Sequence, residues 1–302
     1  MTAGAPGRST LSALFVSLRP EQWTKNLVVF AGLLFGLKLF DVPAVVHALA
    51  AALIFCVLSG VVYLFNDIMD RDADRRHPLK ARRPIAAGDV SPRVAGVVAL
   101  VLGLGALTVA FVLDTGFGWV SLGYLTLQFA YSGPLKQMVI LDVLTIATGF
   151  VLRAVAGAVV IGVPIGHWLL VVTFLLALFL ALSKRRHELV LLADGAAGHR
   201  KILGEYSPYL LDQMIGVVTA STLIAYTFSC LSPEIVEKFG TDKLGLTVPF
   251  VLYGIFRYLY LVHRREGGGS PSEMLLNDRP LLACVATWAL AVMIILYRPF
   301  GV

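Results

Sequence analysis

Apolar residues in this 302-residue chain fall into long runs separated by short polar stretches. A helical membrane pass needs about 20 predominantly apolar residues. The runs predict nine passes, at about 24–40, 44–65, 94–113, 117–134, 139–161, 167–183, 209–231, 246–262 and 280–298. The expected fold is therefore all-α, a polytopic membrane protein with nine transmembrane helices in a single domain over 1–302. Because the runs continue through the whole chain, the small, polar start is not a secretory signal. The glycine-rich stretch Gly267–Ser270 reads as a flexible loop.

Composition supports the membrane reading. The chain is 58% hydrophobic with mean hydropathy +0.81, and only 15% of its residues are charged, against roughly 25% in an ordinary soluble domain. That excludes disorder and leaves too little polar surface for a soluble fold. Cys56, Cys230 and Cys284 lie far apart inside apolar runs, which excludes a disulfide framework and a cysteine-based zinc site. The net charge of +6 is unevenly placed. With the N-terminus in the cytoplasm, nineteen of the 25 Lys and Arg residues fall on the inner side and four on the outer, with Arg153 and Arg257 within spans. By the positive-inside rule, the tail over 1–20 is cytoplasmic and the C-terminus is outside. No nucleic-acid partner is expected, and homo-oligomerisation stays open.

The cytoplasmic end of the second span carries Asn66-Asp67-Ile68-Met69-Asp70-Arg71-Asp72-Ala73-Asp74. On a helix continuing to His77-Pro78, Asn66, Asp67, Asp70 and Asp74 share about 100° of arc. Asp72 points away. Three carboxylates and an amide oxygen on one face repel one another unless a cation sits among them, and an all-oxygen set suits Mg²⁺ together with substrate phosphate oxygens. The competing reading is a solvated helix end whose acids pair with Arg71, Arg75 and Arg76.

Basic groups surround this motif. Lys80, Arg82 and Arg83 follow it, and Lys25 stands at the entry of the first span. Tyr131 and Lys136 close the fourth span, and the loop after the sixth carries Lys184-Arg185-Arg186-His187-Glu188. An acidic metal site ringed by cations is what a diphosphate leaving group needs. Asp142 and Arg153 lie eleven residues apart on the fifth span, about 16 Å along a helix axis. Ionisable residues at that depth face a bundle interior or cavity. For Arg153, an anionic ligand and an interhelical ion pair are equally open. Arg257 reads as a snorkelling side chain, and Arg186 and Asp72 as solvent-facing.

These residues resemble the UbiA superfamily of intramembrane prenyltransferases. The resemblance rests on Asn66-Asp67-x-x-Asp70-x-x-x-Asp74, the nine spans and a second polar motif after the sixth span, and it covers essentially the whole chain. It implies a UbiA-like bundle in a bacterial inner membrane, with Mg²⁺ and a diphosphate bound near the cytoplasmic face. Members of that family have a second Asp-rich motif after the sixth span. Here that stretch is Lys184–Glu188, with Asp194 further on. The departure suits two phosphorylated substrates. It resembles the branch that moves a phosphoribosyl group from 5-phosphoribosyl diphosphate to decaprenyl phosphate for cell-wall arabinan. The stretches 19–26, 77–84, 131–136 and 183–188 carry that likeness.

On this reading Asp70 and Asp74 are expected to hold Mg²⁺, with Asp67 and Asn66 in direct or water-mediated support, and Lys80, Arg83 and Lys184 to neutralise the leaving diphosphate. Lys25, Tyr63, Lys136 and Arg153 are candidates for the ribose 5-phosphate or the lipid phosphate. Tyr131, Asp142, Arg185 and Glu188 complete the expected substrate-binding set. The alternatives are an aromatic prenyltransferase of the same superfamily and a transporter built on the same charged cavity. The crowding of polar groups on one face argues against the transporter.

Overall fold

The computed structural model describes residues 9–76, 80–193, 204–264 and 271–297. Among these, all regular structure is helical. α1 (Thr10–Ser17) leads into a 3₁₀ stretch, Pro20–Phe30, and the short α2 (Ala31–Phe35). Then come α3 (Val42–Met69), α4 (Arg71–Arg76), α5 (Pro84–Ala87), α6 (Pro92–Leu113), α7 (Thr115–Ser132) and α8 (Leu141–Val160). The second half holds α9 (His167–Ala193), α10 (Pro208–Leu231), α11 (Pro233–Phe239), α12 (Val248–Arg264), α13 (Pro271–Asn277) and α14 (Arg279–Tyr297).

The long helices begin where local chemistry says they should. Asp41, Ser91 and Ser207 each accept a hydrogen bond from the backbone N–H three residues on, and a proline follows in the first turn of α3, α6 and α10. The side chain satisfies an orphan donor, and proline gives up an N–H that had no partner.

Seven segments among the described residues are long and apolar enough to cross a membrane: α3, α6, α8, His167–Val190 of α9, α10, Lys243–Arg264 and α14. Two of the nine predicted passes fall short of that mark. The first, 24–40, is a 3₁₀ run and a five-residue α-helix, ending at Gly36 and a left-handed Leu37. The fourth is α7, whose 18 residues include Gly116, Gly118, Gly123, Ser121, Thr126 and Gln128. The sixth runs further than expected. α9 continues to Ala193, so Lys184–Glu188 lies on a helix and not on a loop. The motif after the second span is broken: Asp70 caps α3, and Asp74 belongs to α4. The expected stop at His77-Pro78, the GGGS stretch and Asp194 lie outside the described residues.

α8 lies between two cores. On one side Ala156 and Val160 of α8 join Phe55 and Leu58 of α3, Ala110 of α6, and Phe117 and Tyr124 of α7. On the other, Val143 joins Phe179 and Leu182 of α9, Leu211 and Ile215 of α10, and Tyr258 of α12. α3 and α8 bury 61% and 56% of their apolar windows, whereas α6 and α14 bury 17%. The first pair is interior, and the second exposes rows of Val and Leu such as Val97, Leu100, Val101 and Leu104, as lipid-facing helices do.

The 3₁₀ stretch reaches α8 by backbone contact. A Cβ at Gly157 would lie 1.8 Å from the Val29 carbonyl oxygen, and one at Gly32 would meet the Ala158 backbone at 3.0 Å. Gly157→Ala is therefore expected to force these elements apart and to destabilise the protein by about 1–3 kcal/mol. Gly105→Ala, on α6 with nothing within 4 Å of the added carbon, should leave the unfolding temperature unchanged or raised. Thermal unfolding in detergent micelles compares the two.

Candidate active site

The acidic motif meets three cations brought from elsewhere in the chain. Arg19, held in a left-handed conformation between α1 and the 3₁₀ stretch (φ 53°), bonds to Asp67 Oδ1. Its guanidinium lies 4.6 Å from the centre of the Tyr63 ring, one turn earlier on α3. Arg83, at the start of α5, donates from Nη1 to Asp74 Oδ2 at 2.6 Å and to Asp67 Oδ1 at 3.2 Å. Lys136, in the turn after α7, reaches Asp70 Oδ1 at 3.1 Å.

Asp67 and Asp74 are buried, while Asp72 is exposed as its helical phase predicts. Beside them lies a cavity of ≈ 370 Å³ lined in part by Arg19, Glu21, Gln22, Asp67, Arg82 and Arg83. Lys80 sits on the adjoining 3₁₀ turn Lys80–Arg82. Among the described residues, no three acidic, histidine or cysteine side chains already form a metal cage. The structure joins Asp67 to Asp74 through one guanidinium nitrogen and turns Asp70 to Lys136. Asn66 contributes its backbone carbonyl to Asp70 N–H.

A second network binds four of the expected substrate residues to one another. Asp142 is fully buried. Its Oδ2 accepts from Arg185 Nε at 2.7 Å, and its Oδ1 from the Tyr206 hydroxyl at 2.9 Å. Arg185 also donates to Glu188 Oε2 at 2.6 Å and to the Tyr131 hydroxyl at 3.0 Å. Tyr206 in turn accepts from the backbone N–H of left-handed Ile140 at 2.7 Å. Burial pushes its phenol up to about 12, so it stays a donor to Asp142 at neutral pH. Lys184 lies 3.9 Å from Glu188 Oε1.

The third feature is Arg153, buried on α8. It donates to Asn26 Oδ1 at 2.8 Å, to the Gly149 carbonyl at 2.9 Å and to the Tyr124 hydroxyl at 2.7 Å. It also lies over the Tyr124 ring, 4.7 Å from its centre. Among the described residues, Arg153 forms none of the interhelical ion pairs left open in the sequence. Lys25 stands on the 3₁₀ stretch, within electrostatic reach of Arg153 and Arg19.

The sequence pattern of the UbiA prenyltransferase family matches residues 26–277. The chain belongs to that family. A relative from Mycolicibacterium smegmatis, named decaprenyl-phosphate phosphoribosyltransferase, is 32% identical over 296 residues, 95% of this chain and 93% of its own length. A protein of the same name from Corynebacterium glutamicum is 30% identical over 97% of this chain and 89% of its own length. The fold matches a UbiA homologue from Archaeoglobus fulgidus bound to GPP and Mg²⁺, with a TM-score of 0.71 at 20% identity, covering 93% of this chain and 99% of that one.

Within this UbiA bundle the candidate residues separate by environment. Tyr131, Asp142, Arg185 and Glu188 brace α7, α8 and α9 together, while Asp67, Asp70, Asp74, Arg83 and Lys136 gather near the open cavity. Sequence reasoning missed Arg19, Asn26, Tyr124 and Tyr206. Asn26 ends the polar run Thr24-Lys25-Asn26 and Tyr124 lies among Ser121, Thr126 and Gln128, so polarity alone did not single them out. Arg186 does not simply face solvent, because it pairs with Asp212, which His263 also contacts at 3.3 Å. Arg257 does not snorkel but closes on Asp278 at 2.8 Å.

Breaking the Asp142–Arg185 pair leaves a buried charge without its partner. Arg185→Ala is expected to cost about 3–5 kcal/mol of stability, and Asp72→Asn less than about 0.5 kcal/mol. Unfolding in detergent, followed by circular dichroism, checks both.

Proposed function

We propose that this UbiA-family protein transfers the 5-phosphoribosyl group of 5-phosphoribosyl diphosphate to decaprenyl phosphate, releasing diphosphate, for cell-wall arabinan precursors. The observation that carries the reading is the near full-length match to relatives of that name, at 30–32% identity over 94–97% of the chain. The site is chemically suited to it. Three carboxylates face three cations at one end of the bundle, and α9 carries Lys184 where a second acidic motif would otherwise stand.

The oxygen donors fit Mg²⁺. Asp67 and Asp74 are drawn together on one nitrogen of Arg83, and carboxylate oxygen is the ligand Mg²⁺ prefers. Asp67, Asp70 and Asp74 would hold the ion, with Asn66 in support. The bound ion supplies positive charge to the donor's diphosphate. Arg83, Lys80 and Lys184 neutralise the same group as it leaves. Lys136 holds Asp70 in place and faces the donor.

An oxygen of the lipid phosphate attacks the anomeric carbon as the bond from that carbon to the diphosphate oxygen breaks. A phosphate ester is already ionised at neutral pH, so no strong general base is required. Catalysis then rests on positioning and on electrostatic stabilisation of the leaving group.

The same reading completes the membrane topology. The 3₁₀ stretch and α2 together rise about 30 Å, and α7 rises about 27 Å, each near the hydrocarbon thickness of about 30 Å. With these two the bundle has nine passes, a cytoplasmic N-terminus and the acidic end on the cytoplasmic side of the inner membrane.

Purified protein given Mg²⁺, radiolabelled phosphoribosyl diphosphate and polyprenyl phosphate is expected to move label into the lipid phase. EDTA should abolish the transfer, and Asp70→Asn should slow it more than about 100-fold without unfolding the protein. Condensation of a polyprenyl diphosphate with an aromatic acid instead would overturn the acceptor assignment. The product should be inverted at the anomeric carbon, and retention would rule out a single displacement.

A further inference from the structure

Arg19, Arg83 and Lys136 are each paired with a carboxylate, but Arg153 is not. It is 5% exposed, and its three acceptors are an amide oxygen, a backbone carbonyl and a phenol, all neutral. Among the described residues no carboxylate pairs with it. A guanidinium has five N–H donors. With three committed, one remains on each terminal nitrogen, the positions from which an arginine grips two oxygens of one phosphate.

The surroundings hold this group in place. Asn26, which accepts from Arg153 Nε, is itself held by Cys56 Sγ at 3.3 Å and Ser59 Oγ at 3.4 Å. The 3₁₀ stretch, α3, α7 and α8 thus converge on one buried cation. Burying a charge among neutral groups is unfavourable unless an anion completes the set. Lys25 adds a second cation within electrostatic reach.

Tyr63 links Arg153 to the acidic layer. Arg19 bonds to Asp67 and covers the Tyr63 ring, and the Tyr63 phenol lies in the field of both Arg19 and Arg153. Asp67, Arg19 and Tyr63 thus lead from the acidic end toward Arg153.

Resting on the phosphoribosyl-transfer reading, we infer that Arg153 and Lys25 form the subsite for the acceptor's phosphate monoester, on the membrane side of the ribose and opposite the departing diphosphate. Depth decides between the two phosphates that have this chemistry. Arg153 lies eleven residues beyond Asp142, about 16 Å along α8 from the cytoplasmic layer. A polyprenyl phosphate enters that layer with its chain already in hydrocarbon. The water-soluble donor presents its charges where Lys136, Arg83 and Lys80 stand. A phosphate monoester carries about −1.5 to −2 at neutral pH, which the two cations offset.

The test is binding to the full chain in detergent, by calorimetry, with farnesyl phosphate, farnesol and phosphoribosyl diphosphate as separate probes. The wild type is expected to prefer farnesyl phosphate to farnesol. Arg153→Gln should reduce that preference at least tenfold while leaving the donor Kd within threefold. Arg153→Lys should fall between, because the charge stays and the two-pronged grip is lost. Lys25→Gln should act in the same direction, and it decides the question if Arg153→Gln does not fold. A loss of donor affinity with farnesyl phosphate binding intact would overturn the inference and give the subsite to the ribose 5-phosphate. Unchanged binding of both would make Arg153 purely structural. Label transfer by the wild type is measured alongside. Its absence would remove the phosphoribosyl reading and leave the comparison of phosphate with alcohol to decide the subsite.

Discussion

Charge placed in an apolar layer must be compensated on the spot, and the arrangement of this protein follows from that constraint. A charge removed from water costs several kcal/mol unless a partner of opposite sign or a full set of hydrogen bonds replaces the lost solvation. Asp142, with no exposed surface, meets the requirement through Arg185 and Tyr206. Asp67 and Asp74 meet it through Arg19 and Arg83. Each solution draws a residue from a distant part of the chain, so compensation also sets the tertiary arrangement. Arg19 brings the start of the 3₁₀ stretch to the end of α3, and Arg185 brings α9 to the start of α8.

α8 is where these requirements meet close packing. Gly157 admits the backbone of the 3₁₀ stretch to direct contact, which brings Asn26 within 2.8 Å of Arg153 four residues away on α8. A longer side chain at position 157 would separate the elements and leave Arg153 without one of its acceptors. The two apolar cores on either side of α8 hold it against α3 and α9. The helix is thus fixed by packing along most of its length and carries its two ionisable residues at different depths.

Much of this was legible in the sequence, for identifiable reasons. Long apolar runs and the Lys/Arg asymmetry report solvation, which is a property of composition, and so the helices after the second span begin within a few residues of their expected starts. The spacing of Asp67, Asp70 and Asp74 marked the acidic end, and a lone arginine in mid-span marked Arg153. What the sequence did not carry was pairing. Nothing in Arg19 or Tyr206 distinguishes them from other boundary residues until the fold brings them against Asp67 and Asp142. Helix ends were the other blind spot. Lys184–Glu188 looks like a loop by polarity, but Arg185 and Glu188 are one turn apart and bond to each other, and α9 runs on through them. Asp70 interrupts the acidic helix, because a motif of helical period does not guarantee an unbroken helix.

The pairing of acids and cations at the cavity bears on how a highly charged donor can enter an apolar bundle. Asp67, Asp70 and Asp74 face Arg19, Arg83 and Lys136, three negative groups against three positive. The cluster is therefore close to neutral and stable as it stands. Under the proposed activity, a divalent cation and a diphosphate arrive with opposite charges. With the carboxylates engaged by such a cation, Arg19 and Arg83 would be free to bond the phosphate oxygens, so that the same basic residues serve both charge states of the layer. Such an exchange would replace one set of short charge-assisted contacts with another of the same kind. It also explains why basic residues are packed so closely around an acidic motif. They balance the acids when no substrate is bound and balance the diphosphate when it is.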